Sequence, residues 1–207
     1  MSVRIGYACI NTALPSSNRT TRLERATPER LLELAAANLS ALESILRWNA
    51  AHGIRMFRIS SEVIPFGSHP VNTLRWWELL AAQFERLGAI IRENRMRVSM
   101  HPGQYTVLNA LRPEVVHSSV VELEYHARFL DSLGLDPDHK IVLHLGGVYG
   151  DKPASLRRFV EHSGLLSAGA RARLVLENDE RSYTLEDALW AAERTGCPVI
   201  FDVFHHR

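Results

Sequence analysis

Short apolar runs alternate with longer stretches of helical periodicity along the whole chain. The pattern predicts a strand over 3–8, a helix over 28–52, a strand over 54–59, a helix over 74–94 and a strand over 96–100. A helix over 113–133 follows, then strands at 140–145 and 172–177, each with its own helix at 151–163 and 184–195. Pro198 opens a sixth strand over 199–203. Thr27-Pro28-Glu29-Arg30 sets the start of the first helix with an N-cap hydroxyl, a proline in the first turn and an early acid. Arg112-Pro113-Glu114 opens the third in the same way.

Strict strand–helix alternation implies right-handed βαβ units on a parallel sheet, either open or closed into a barrel. The turn after the first strand, Tyr7-Ala8-Cys9-Ile10-Asn11-Thr12, lacks the glycines that bring backbone close to a pyrophosphate. That favours an α/β fold of the TIM-like (β/α) barrel type. A full barrel has eight units in roughly 250 residues, so the chain carries about six of eight and reads as one truncated at its C-terminus.

No linker or composition shift divides the 207 residues, 46% of them apolar, and a single domain over 1–207 is expected. The formal charge of +1 does not advertise a polyanionic partner, although Arg19, Arg22 and Arg25 form a local basic run that reads as solvated surface. Cys9 and Cys197 lie in apolar runs and are expected as reduced, buried thiols. No signal peptide and no apolar run of about 18 residues is present, which predicts a soluble cytoplasmic protein.

The candidate chemistry lies where the strands end. Arg97-Val98-Ser99-Met100 runs into His101, Ile141-Val142-Leu143 into His144, Leu174-Val175-Leu176 into Glu177, and Val199-Ile200-Phe201 into Asp202, followed by His205 and His206. In a parallel barrel these ends open on one face, so residues distant in sequence meet there. Imidazoles and carboxylates are ligands for Zn²⁺ and Mn²⁺, and a carboxylate can bridge two ions. One histidine at a strand end is an ordinary structural residue; five ligand-type residues at successive strand ends imply a site.

Other positions keep two readings. Gln104 and Tyr105, carried past the third strand by the Pro102-Gly103 turn, suit contact with and stacking on bases, or else cover the barrel rim. His69, in the loop Pro65-Phe66-Gly67-Ser68-His69-Pro70, could supply an outer ligand or cap its loop. Asp179 and Glu180 read as an ordinary acidic loop.

At these residues the chain resembles the ultraviolet damage endonucleases of bacteria and fungi, single barrels related in architecture to endonuclease IV and the xylose isomerase-like enzymes. The matching stretches run from Arg4-Ile5-Gly6-Tyr7 through Asn18-Arg19-Thr20, Phe57-Arg58-Ile59-Ser60, Ile64-Pro65-Phe66-Gly67-Ser68-His69-Pro70 and Ser99-Met100-His101-Pro102-Gly103-Gln104-Tyr105. They continue through Leu143-His144-Leu145-Gly146-Gly147 and Leu176-Glu177-Asn178-Asp179-Glu180 to Asp202-Val203-Phe204-His205-His206.

The resemblance implies that His69, His101, His144, Glu177, Asp202 and His205 hold up to three divalent ions, Mn²⁺ first, with Zn²⁺ or Mg²⁺ as alternatives. Glu177 would bridge two of them, and Glu177, His101 and His144 would serve the reaction most directly. Gln104 and Tyr105 match residues that probe a distorted dinucleotide, and Tyr7 and Asn11 match residues near the lesion pocket. The implied reaction is hydrolysis of the phosphodiester immediately 5′ to cyclobutane dimers or (6-4) photoproducts in double-stranded DNA. A monomer, nucleoid-associated through its DNA, is expected.

The family's later strands carry another histidine, a lysine, a second histidine and a closing glutamate, none of which this sequence contains beyond His206. An impaired chain is therefore expected. Competing readings are an abasic-site endonuclease or a sugar isomerase on the same barrel, or an inactive fragment that binds damaged DNA.

Overall fold

The structure is a computed structural model that describes residues 5–205. Residues 3 and 4 of the first predicted strand, and His206 of the terminal motif, lie outside the described residues. Two compact units are present, one formed up to His101 together with Arg128–His139, the other by Pro102–Ala127 and the chain from Lys140 onward.

In the first unit, β1 (Gly6–Ala8), β2 (Met56–Ile59) and β3 (Arg97–Met100) pair in parallel, with Tyr7 beside Phe57, and Phe57 in turn beside Val98. The helix α1 (Pro28–Ala51) starts where the sequence predicts, the Thr27 hydroxyl accepting the Arg30 N–H at 3.3 Å. Leu31, Leu34, Ala35, Leu42, Ile45 and Leu46 recur at helical spacing along it and are all buried. Each large side chain so buried is worth roughly 1.5–3 kcal/mol.

The helix predicted over 74–94 is two helices, α2 (Trp76–Leu79) and α3 (Ala81–Glu93), divided at Leu80. Aromatic packing accompanies the break: Trp76 is buried, 5.6 Å from Phe84 and 6.4 Å from Phe129 between ring centres. The Arg128 guanidinium lies 4.4 Å over the ring of Trp77. Arg128 and Phe129 belong to α4 (Pro113–Ser132), which passes from the second unit into the first.

The second unit contains β4 (Ile141–His144), β5 (Leu174–Glu177) and β6 (Val199–Ile200), again parallel, with α5 (Lys152–Ser163), α6 (Ala168–Arg173) and α7 (Leu185–Thr195). Ile141, Val142, Leu143, Leu174, Val175 and Leu176 are all buried, as continuous apolar strand runs require when both faces are covered. A capping box opens α7, Thr184 and Asp187 satisfying each other's backbone N–H groups, and Gly196 ends it at φ 74°.

The predicted strands are all shorter than expected among the described residues. Residues 172 and 173 end α6, which Ser167 caps, so β5 begins only at Leu174. The strand predicted over 199–203 ends at Ile200. The basic run contains a short 3-10 turn, Leu23–Arg25, and its residues are exposed.

Neither cysteine is paired; Cys197 is buried and Cys9 only partly so, and burial pushes both thiols up from their ordinary pKa. Among the described residues, no helix is long and apolar enough to cross a membrane.

Candidate metal centre

The register of β4 on β5 sets His144 directly beside Glu177, so the two last residues of neighbouring strands present their side chains together. His144 Nε2 stands 3.3 Å from Glu177 Oε2. Glu177 is only 3% exposed. A carboxylate that deep is retained where it is paired or binds a cation.

Beyond β6 the backbone ladder stops, and Asn178 replaces it. Its Oδ1 accepts the Asp202 N–H at 2.9 Å and its Nδ2 donates to the Asp202 carbonyl at 3.1 Å. An amide can do both because it carries an acceptor and donors on one plane. This places Asp202 and, three residues on, His205: ligand atoms of Glu177, Asp202 and His205 all lie within 4.8 Å of one another. His205 Nε2 is 3.5 Å from Asp202 Oδ2, and its ring centre 5.6 Å from that of His144. Glu177 is therefore close to both His144 and the Asp202–His205 pair.

The acidic loop after β5 divides by role. Asp179 accepts the N–H groups of Arg181 and Tyr183 at 2.7 and 3.2 Å and so shapes the turn. Glu180 instead reaches to within 2.8 Å of His205 Nδ1. Its carboxyl sits below the usual range, first because its own backbone N–H bonds to it and then through His205, Arg181 and His144. The contact with His205 lacks hydrogen-bond alignment, so that buried ring nitrogen is without a hydrogen bond. A buried nitrogen of this kind, among carboxylate oxygens and a second imidazole, fits a divalent ion of borderline hardness.

Sequence patterning missed the parts played by Asn178 and Glu180. The signal for Asn178 was present, a side-chain amide directly after a strand; nothing local marked Glu180.

The other candidates each have a local setting of their own. His101 follows β3 in the first unit, where the Ser61 hydroxyl donates to its carbonyl. His69 is exposed, and its Nδ1 accepts the Val71 N–H at 3.1 Å, a loop cap that leaves the ring proton on Nε2. Tyr7 donates to Asn49 Oδ1 at 2.7 Å and accepts from Asn11 Nδ2 at 2.9 Å, so both are held in one network with α1. Gln104 and Tyr105 form an exposed turn in the second unit, Tyr105 83% exposed. A cavity of about 530 Å³, lined by Val116, His117, Arg158, His162 and apolar neighbours, contains none of the candidate ligands.

The family model described as UV-endonuclease UvdE matches residues 3–207. The UV DNA damage endonuclease of Clostridium perfringens is 42% identical over 99% of the chain, and the UV-damage endonuclease of Neurospora crassa 34% identical over 98%. The chain spans about half the length of the first of these and 37% of the second. A crystal structure of SacUVDE superposes with a TM-score of 0.96 over 99% of this chain and 71% of that one, at 45% identity. Endonuclease IV from Thermus thermophilus superposes at 0.57 over 80% of this chain and 59% of that one; at 21% identity it establishes the fold alone, an α/β fold of TIM-like type. By sequence and by fold, the chain belongs to the UV-endonuclease UvdE family.

Proposed function

We propose that the chain is the catalytic barrel of a DNA repair endonuclease that cuts the phosphodiester immediately 5′ to ultraviolet photoproducts, using a cluster of divalent ions. The observation that carries this reading is the buried Glu177 carboxylate shared between His144 at 3.3 Å and the Asp202–His205 pair. Divalent ions there, Mn²⁺ first, would lower the pKa of a water and neutralise charge on the attacked phosphate. Four ligands of the second unit have geometric support: His144, Glu177, Asp202 and His205. His69 and His101, in the first unit, are ligands that the family resemblance implies, and His69 would need to release its loop cap to ligate through Nδ1.

The chain's own residues supply position. Asn178 fixes the Asp202 backbone, and the β4–β5 register fixes His144 on Glu177. Gln104 and Tyr105, both exposed on one turn, suit insertion at a distorted dinucleotide, and damaged steps unstack at lower cost than normal duplex. Tyr7 and Asn11 would border the lesion from their shared network with Asn49. The partner is damaged double-stranded DNA, bound by a monomer.

The test is nicking of irradiated and untreated supercoiled plasmid by the purified chain, with Mn²⁺ or with chelator. Nicking confined to irradiated plasmid and dependent on metal, even at a reduced rate, is the expected result. Equal cutting of both plasmids, or cutting that survives chelation, would overturn the reading.

A further inference from the structure

The loop after β4, Gly146-Gly147-Val148-Tyr149-Gly150, is pinned from several directions. Gly147 donates to Asn109 Oδ1 at 3.2 Å, and its carbonyl accepts from Asn109 Nδ2 at 2.8 Å and from the Tyr183 hydroxyl at 2.9 Å. The Val148 carbonyl accepts from the Ser155 hydroxyl at 2.6 Å. Gly146 takes φ 96°, and a Cβ there would stand 2.5 Å from Asn109 Oδ1.

On this clamped loop Tyr149 adopts φ 53°, a left-handed conformation costly for a bulky residue, and its side chain remains 45% exposed. The ring lies over the backbone, since a Cβ added at Gly147 would be 2.9 Å from its carbons. The Arg158 guanidinium stands 5.6 Å from the ring centre and is itself held by the Asn109 carbonyl at 3.1 Å and Ser155 Oγ at 2.8 Å.

Strain in so over-determined a loop is the kind kept at functional sites, and burial of the ring does not repay it. What the strain achieves is a rigid aromatic, held against a cation and open to solvent, five residues beyond His144. A fixed aromatic suits a π-face partner because little side-chain freedom is lost on binding.

From this geometry we propose that Tyr149 is a DNA-contacting residue that stacks on a nucleobase unstacked near the cut, which rests on the endonuclease reading above. It is distinct from the Gln104–Tyr105 turn and supplies a second aromatic contact. Because the contact is to a π-face, it favours distorted over fully paired DNA without reading base sequence.

The test uses the full chain, in chelator and at fixed salt, with two labelled duplexes: one fully paired, one with a central two-base mismatch bubble. Tyr149→Gly is expected to weaken binding to the bubble duplex about tenfold and to the paired duplex less than about twofold. Tyr149→Phe, which keeps the ring, is expected to recover most of the loss. Since glycine accepts φ 53° without strain, Tyr149→Gly is also expected to melt within about 3 °C of the parent. Equal loss on both duplexes, no loss on either, or a larger drop in melting temperature would overturn the proposal. A parent chain that binds neither duplex would overturn the endonuclease reading along with it, whereas a parent that binds both while Tyr149→Gly changes nothing overturns this proposal alone.

Discussion

Two polar clusters in the second unit use the same parts of the fold and finish differently. Asn109, Gly147 and Tyr183 close on themselves: both Asn109 amide atoms are used, and the Tyr183 hydroxyl donates to Gly147 while accepting from Asn109. The group of His144, Glu177, Asp202 and His205 is ionisable instead. It brings two carboxylates and two imidazoles together and leaves His205 Nδ1 buried without a hydrogen bond. A completed neutral network stabilises what is already there, whereas close-set carboxylates and imidazoles keep donor atoms that a cation can use.

Substitutions in the two clusters should therefore separate by kind of loss. Glu177→Gln has the largest expected effect: metal-dependent plasmid cutting falls by roughly 1000-fold or more, because the shared charged ligand is gone. Its melting temperature in chelator stays close to that of the parent. In the parent, Mn²⁺ at about a hundred times its dissociation constant adds roughly 2.7 kcal/mol, a rise of about 5–10 °C that Glu177→Gln should abolish. A full Mn²⁺ shift in Glu177→Gln would break the comparison.

Asn109→Ala is expected to do the reverse. The Gly147 N–H loses its partner and the carbonyl keeps only the Tyr183 hydroxyl, at a cost of about 1–3 kcal/mol in denaturant unfolding, with the Mn²⁺ increment intact. An Asn109→Ala chain that keeps its stability but loses the increment would show that this cluster, too, serves the metal.

Tyr183→Phe should cost about 1 kcal/mol. Burial raises the folded-state pKa of Tyr183 above its ordinary value near 10. Its contribution is therefore present below that value and is lost as pH rises through the folded pKa, so the substitution should flatten the alkaline fall of stability seen in the parent. An unchanged alkaline profile would remove Tyr183 from the closed network.

The smallest expected effect lies outside both clusters. Hydrogen bonding from Arg47 lowers the Glu43 carboxyl, so its contribution is present above the ordinary carboxylate range and disappears as pH falls through the lowered value. Glu43→Gln should change stability by only a few tenths of a kcal/mol at neutral pH, measured by denaturant titration, because Arg47 is well exposed and Glu43 only partly buried, so solvent screens the pair. A change above about 1 kcal/mol would show that exposed pairs here match the buried clusters in weight.

The alternating pattern set the order of strands and helices, and Thr27, Pro28 and Pro113 marked where two helices begin, because caps and fixed φ angles act within one turn of chain. The residues ending β3, β4 and β5 could be read as ligand types for the same reason: an apolar run that stops on His or Glu says so locally. Other features could not be read that way. The break at Leu80 accompanies the packing of Trp76 with Phe84 and Phe129, and β6 ends early where an Asn178 side chain replaces strand pairing. Glu180 looked like any acidic loop residue until the fold set it beside His205. Local sequence thus determined which ligand-type residues stand at or just past the ends of β3, β4 and β5 and what chemistry they carry. Only the tertiary structure decided that Glu177 is shared, that Asp179 shapes a turn while Glu180 faces an imidazole, and that Tyr149 stands strained in the open, because register, burial and amide clamps depend on segments tens of residues apart.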